Sequence, residues 1–228
     1  MTGGRELLLS TAGGRTSSPP VWRLDSKLST MDQIAPAVSV IRQGGIVVYP
    51  TETFYGLGGH PELPEAIEKI YRIKRRDLRK PLSLIAADMR AVRRSVASWP
   101  PAAEGMASAF WPGPLTLVLS ASPIFPLALL GQSAKIALRI SSHPVSQLLA
   151  AGVGGVLIAT SANLSGQPPC RRLEDLEIDI VSQVDAIIDG GETAGQAPST
   201  VVDVTAVPAQ LLREGAIPWL AISQFLCV

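Results

Sequence analysis

The sequence predicts one α/β domain built on a mixed β-sheet, and three observations carry that prediction. The chain has 228 residues, 46% of them hydrophobic and 17% charged, enough to fill one substantial core and too apolar for extended disorder. Short apolar runs of strand length interleave with segments of helical period, which is the pattern of an α/β protein. Two stretches, 115–140 and 186–213, hold strands with no full helix between them. Some neighbours must therefore pair antiparallel, and the sheet is mixed.

Residues 1–28 are rich in Gly, Ser, Thr and Pro and read as a flexible extension, with room for a stray strand near Val21-Trp22. Order is expected from Thr30, whose spacing to Gln33 fits a capping box. Ile34, Val38 and Ile41 then form one helix face that stops at Gly44-Gly45. Ile46 to Tyr49, ended by Pro50, reads as a buried strand. Over 63–77, Leu63, Ile67, Ile70 and Lys74 share a helix face, with Glu65–Lys69 and Glu68–Arg72 paired on the other side. Further strands are expected at 82–86, 115–120, 135–140, 156–160, 186–189, 200–204 and 210–213. Further helices fit 88–97, 101–110, 144–151 and 173–183. The domain spans 29–217, and 218–228 is read as a tail.

The formal net charge of +1 excludes a global field that would draw the chain to nucleic acid or membrane, so any polyanion site must come from local clustering. Cys170 and Cys227 lie far apart, and with only His60 and His143 beside them a zinc site is not expected. No apolar run approaches a membrane span, and Leu7-Leu8-Leu9 is too short for a signal-peptide core, so the expected compartment is the cytoplasm. The P-loop, HExxH and GxSxG patterns are missing, and no GxGxxG is clear.

Three segments can carry chemistry. Tyr71 to Leu82 is crowded with cations, which fits either a solvated helix end or a polyphosphate site. Lys74 continues the apolar face there, so its ammonium is expected to point into a cleft, and Lys80 stands at a loop–strand junction. In 135–140, Ile136, Leu138 and Ile140 alternate with Lys135, Ala137 and Arg139. Lys135 and Arg139 thus share one face about 13 Å apart, along a solvated surface or a groove for two anions. Val156 to Gly166 is a buried strand running into Thr160, Ser161, Asn163 and Ser165, either a plain polar turn or a loop that approaches phosphate closely.

Taken in order, the segments resemble the YrdC family of threonylcarbamoyl-AMP synthases. The resemblance rests on Gly45 to Gly58 (GIVVYPTETFYGLG), Ile70 to Arg76 with Lys80-Pro81-Leu82, Phe110 to Leu119, Ala137 to Ile140, Thr160 to Gly166, Ser199 to Asp203, and Leu212 to Gly215. It covers about 30–217 and implies a twisted mixed sheet flanked by helices, with a basic concave surface. It also implies a reaction in which L-threonine, bicarbonate or CO₂, and ATP give threonylcarbamoyl-AMP and pyrophosphate. A partner transferase then moves the group to the adenosine beside the anticodon of certain tRNAs. Transfer RNA or double-stranded RNA on the basic face is the other implied partner, and Mg²⁺, held mainly by the ATP phosphates, the implied cofactor.

Carried over by residue, the resemblance gives Thr53, Arg139 and Ser199 to threonine, with Arg139 pairing its carboxylate. It gives Arg76, Lys80, Lys135, Ser161, Asn163 and Arg213 to ATP, and makes Lys74, Arg76, Ser161 and Asn163 the catalytic set. Such a site needs no protein nucleophile; it must bring anions together and stabilise charge moving onto pyrophosphate. The sequence departs from the family pattern at His60-Pro61, where small residues are expected after Tyr-Gly-Leu-Gly, and at Ile85, where some members carry a polar residue near threonine. Ending soon after Gly215, it matches the short form of the family. Two other readings are a family paralogue with another acceptor, and an RNA-binding module without catalysis. The low aromatic content, 5%, disfavours the second because few rings are available to stack bases.

Overall fold

The computed structural model of the protein describes residues 18–25, 30–131 and 133–225. Its elements follow the hydrophobic pattern closely. Helix α1 (Thr30–Arg42) buries Ile34, Ala37, Val38 and Ile41 on one face. Strand β2 (Val47–Tyr49) is buried throughout. Helix α2 (Pro64–Lys74) starts on a proline and ends at Arg75, which takes the left-handed conformation at φ 49°. Strand β4 (Ser83–Ala86) leads to α3 (Met89–Ser95), where the Asp88 carboxylate accepts from the Ala91 N–H at 2.7 Å. Helix α4 (Pro101–Phe110) precedes β5 (Leu115–Ser120), α5 (Leu127–Leu130), β6 (Lys135–Arg139) and α6 (Pro144–Gly152).

The strands divide between two mixed sheets, each flanked by helices, within the expected α/β domain. One has the order β1 (Val21–Arg23), β9 (Ala186–Asp189), β2, β3 (Gly56–Gly58), β8 (Thr160–Ser161). The other runs β11 (Gln210–Arg213), β10 (Thr200–Asp203), β5, β6, β4, β7 (Val156–Ile158). The expected strand 156–160 is where they join. Its first half pairs with β4 and its last residues with β3. Between them the Ile158 N–H donates to Gly59 O at 3.0 Å and the Ala159 N–H to Ser83 O at 2.8 Å, so one run of chain serves both sheets.

Sequence reasoning missed β3 because Gly-Leu-Gly reads as a loop. The strand forms because the Tyr49 ring lies over it. A Cβ on Gly58 would sit 2.7 Å from Tyr49 Cε1, so only glycine admits the ring. The expected helix 173–183 is broken into a 3₁₀ turn at Leu173–Asp175 and a short α7 (Ile178–Val181). Leu176 and Glu177 are extended between them, and the Glu177 carboxylate accepts from the Leu164 N–H at 3.2 Å, holding the break against the 161–166 loop.

Described segments on both sides of the expected domain add to the packing. The stray strand expected near Val21-Trp22 exists as β1, parallel to β9. Residues 1–17 and 26–28 of the expected extension lie outside the described residues, as does the Thr30 side chain of the expected capping box. Gln33 bonds the Asp25 main chain through both its amide atoms, at 2.6 and 3.0 Å. After residue 217 the chain forms α8 (Trp219–Ser223), with Ile222 fully buried and Phe225 edge-on to Phe110 at 5.7 Å. No helix among the described residues is long and apolar enough to cross a membrane.

Candidate active site

Where the two sheets meet, the loop after β2, the end of β8 and the end of β6 face residues 196–199 and β11 across a cavity of about 500 Å³. That is a usual volume for a small-molecule site. Of the residues singled out in the sequence, Thr53, Arg76, Arg139, Ser161, Asn163, Ser199 and Arg213 line it. They come from separate elements, and the fold alone brings them together.

Arg139 ends β6 in an almost fully buried position. Its Nε donates to Glu52 Oε1 at 2.9 Å, while the Ser141 hydroxyl donates to the other Glu52 oxygen. The Arg139 Nη groups have no protein acceptor among the described residues, and no described buried side-chain polar atom is left unpaired. The Nη groups are therefore open to the cavity. Arg213 reaches in from β11 and grips Ser199, donating to its carbonyl at 2.8 and 3.1 Å and to its hydroxyl at 3.1 Å. Burial first, and then the positive charge of Arg139, lower the Arg213 pKa from its ordinary value. Arg76 donates to the carbonyls of Lys80 and Pro81, at 3.3 and 3.0 Å, and burial lowers its pKa too. Three guanidiniums against the single carboxylate of Glu52 make this a site for anions.

The expected catalytic set splits. Lys74 does lie on the buried face of α2, only 2% exposed, but its amine ends on the 161–163 loop and not in the cavity. It donates to the carbonyls of Ser161 and Asn163, the latter at 2.7 Å, and to Asn163 Oδ1 at 3.4 Å. Burial, with the charge of Arg76 adding to it, lowers the Lys74 pKa to about 7. The Asn163 amide donates to the carbonyls of Leu164 and Gln167, and Ser161 Oγ donates to Asn163 Oδ1. Lys74 and Asn163 thus hold the loop's shape, and Ser161 meets a ligand with its lone pairs.

Lys80 and Lys135 do not line the cavity. Lys80 is exposed, and Lys135 pairs with Asp203 at 2.9 Å. His60 and Ile85 lie outside the lining as well, Ile85 in a core formed with Ile34 and Leu149. Thr51, which lines the cavity, and Glu52 and Ser141, which hold Arg139 from behind, were not singled out in the sequence. Each is a buried or nearly buried polar residue in a loop, where no periodicity marks it. The tight loop approach is set by Gly195, where a Cβ would lie 2.2 Å from Thr53 O.

The Sua5/YciO/YrdC family model, described as telomere recombination, matches residues 39–215. The chain belongs to the Sua5/YciO/YrdC family. The matched span contains every predicted residue that lines the cavity and leaves β1 and α8 outside it. Within the family, the threonylcarbamoyl-AMP synthase of Stenotrophomonas maltophilia is 39% identical over 168 residues, 73% of this chain and 90% of that protein. That of Pyrococcus abyssi is 37% identical over 186 residues, 82% of this chain, and the match spans 55% of that longer relative. The structure of P. abyssi Sua5 complexed with L-threonine superposes with a TM-score of 0.85 at 33% identity, over 92% of this chain and 61% of that one.

Proposed function

We infer that this chain makes L-threonylcarbamoyl-AMP and pyrophosphate from L-threonine, carbon dioxide or bicarbonate, and ATP. The observation that carries the inference is the convergence of Arg76, Arg139 and Arg213 on one cavity that also presents Thr53, Ser161 and Ser199 hydroxyls. The relatives' names and the threonine complex of P. abyssi Sua5 support the same reading.

Threonine lies at the Thr53, Arg139 and Ser199 end, its carboxylate on the free Nη groups of Arg139. The ATP phosphates take Arg76, Arg213, Ser161 and the 161–163 loop that Lys74 supports. Lys80 and Lys135, which stand outside the cavity lining, join the nucleotide site by moving toward the phosphates, Lys135 after parting from Asp203. The threonine amine adds to CO₂, forming the carbamate C–N bond and losing a proton. A carbamate oxygen then bonds to the α-phosphorus of ATP as the P–O bond to the β-phosphate breaks, and pyrophosphate leaves. The protein's task is to hold two anions together in line and stabilise the charge that moves onto the leaving group.

Among the described residues no cluster of three His, Cys, Asp or Glu could hold a metal, and Glu52 is already spent on Arg139 and Ser141. Magnesium fits this site only on the triphosphate, where it would supply charge neutralisation. The exposed Arg72, without an ion pair among the described residues, belongs to the surface offered to RNA. A transferase then carries the threonylcarbamoyl group to tRNA adenosine, in the cytoplasm. Mass spectrometry after incubation with ATP, threonine and bicarbonate tests this. Threonylcarbamoyl-AMP is the expected product, and pyrophosphate release independent of threonine or bicarbonate would assign the cavity to another acceptor.

A further inference from the structure

Thr51 lines the threonine end of the cavity beside Thr53, only 3% exposed, and its hydroxyl proton is committed within the protein. The proton goes to the Phe54 carbonyl at 2.7 Å, while the N–H groups of Thr53 at 3.1 Å and Phe54 at 3.2 Å share one Oγ1 lone pair and leave the other for Thr53 Oγ1. A hydroxyl has a single proton to give. The remaining contact, Thr51 Oγ1 to Thr53 Oγ1 at 3.0 Å, is thus a hydrogen bond only when Thr53 is the donor. Thr53 then faces a ligand with lone pairs alone. Turning its proton outward would set two oxygens against each other in a buried place, which is unfavourable.

Ser199 has the opposite polarity. Its Oγ accepts from the Thr116 hydroxyl at 2.9 Å and from Arg213 Nη2 at 3.1 Å, so its own proton is left for a ligand. Arg139 and Arg213 can only donate. One side of the amino-acid pocket accepts and the other donates.

We propose that Thr51 is a positioning residue that holds Thr53 as a fixed acceptor, and that this acceptor reads the β-hydroxyl of the amino-acid substrate as a donor. The proposal rests on the threonine reading above. The donating side matches the substrate carboxylate. The amine loses N–H groups as it becomes a carbamate, whereas the hydroxyl presents the same proton in substrate and product. Only the hydroxyl distinguishes threonine from valine, which has the same outline. Valine would set a methyl group against the Thr53 lone pairs and leave them unsatisfied, a mismatch that discriminates strongly.

Two pairs of equal shape test this on the wild-type chain, with kcat/KM for pyrophosphate release or, for poor substrates, competition against threonine. L-Threonine and L-valine differ by hydroxyl against methyl. O-Methyl-L-threonine and L-isoleucine differ by an ether oxygen, which accepts but cannot donate. Threonine should be preferred to valine by about a hundredfold or more, while the second pair should be nearly equal. A preference for O-methylthreonine over isoleucine as large as that for threonine over valine would mean the oxygen is read as an acceptor, and the proposal fails. Equal use of threonine and valine also overturns it.

Thr51→Val should lower the threonine-to-valine ratio by about tenfold or more, the scale of one hydrogen bond, with the KM for ATP nearly unchanged. Thr51→Ser, which keeps the oxygen, should restore the ratio. An unchanged ratio in a folded Thr51→Val protein removes Thr51 from the role, and the wild-type pairs decide the acceptor assignment even if that variant does not fold. Absence of any threonine-dependent release would instead sink the underlying function, a result distinct from all of these.

Discussion

Residues 71–82 hold six cations in twelve positions, yet only Arg76 among them lines the cavity, whereas Arg139 and Arg213 stand in separate apolar strands and both reach it. In the first region most of the charge is spent locally. Arg75 pairs with Asp179 and Arg79 with Asp77, both on exposed surface, and Lys74 is consumed by carbonyl groups. In the second, Arg139 is held from behind by Glu52 and Arg213 by Ser199, so each guanidinium is aimed before a ligand arrives. Density of charge along a chain therefore says little about where anions bind. An orienting partner held in place by the fold says more.

The largest effect is expected at the Glu52–Arg139 pair, whose side chains are only 11% and 8% exposed. Glu52→Ala leaves Arg139 buried and uncompensated, a loss of about 3–5 kcal/mol. The melting temperature should fall by on the order of 10 °C, measurable by calorimetry. A shift of a degree or less would mean that the pair is not what holds Arg139.

Next in size is Arg139→Lys, which keeps the charge and loses the fork that meets a carboxylate with two parallel bonds. Such a contact is worth roughly 1.5–3 kcal/mol. The KM for threonine should rise about tenfold to a hundredfold, with much less change for ATP. The reverse pattern in steady-state kinetics would exchange the two ends of the site.

Lys74→Met tests the buried member of the basic stretch. It strands the carbonyls of Ser161 and Asn163, so stability and adenylate formation should both fall, the first by roughly 1–3 kcal/mol. The pH dependence has a definite sign. Below about 7 folded and unfolded chains both hold the Lys74 proton, and the penalty for burying the charge is complete. From there up to the ordinary lysine range the unfolded chain binds more protons than the folded one, so wild-type stability gains on the variant as pH rises. Urea unfolding of both proteins near pH 6.5 and pH 9 reads this out. A constant difference would mean that the amine keeps its ordinary pKa.

The smallest effects belong to the exposed pairs. Arg75→Ala and Arg79→Ala remove contacts that solvent screens, and neither residue lines the cavity. Melting temperature and turnover should both stay near wild type. A strong loss of activity in Arg79→Ala would restore to this stretch the ligand-binding role its composition advertises.

The amino-acid sequence was enough to place the helices and most strands, because their apolar residues recur with the period of the element that buries them. Strands 115–120, 186–189 and 210–213 begin and end where the alternation predicts. It also identified seven of the cavity residues, through motifs whose order along the chain resembles one family. Tertiary structure alone decided how the strands divide into two sheets at Ala159, that Gly56–Gly58 is a strand beneath Tyr49, and that Lys74 faces carbonyls while Arg139 faces open space. The physical reason is the range of the forces involved. Periodicity reports burial, which each segment carries in itself. The direction of a hydroxyl, an ammonium or a guanidinium depends on partners brought from far along the chain, as Glu52 is to Arg139 and Thr116 to Ser199.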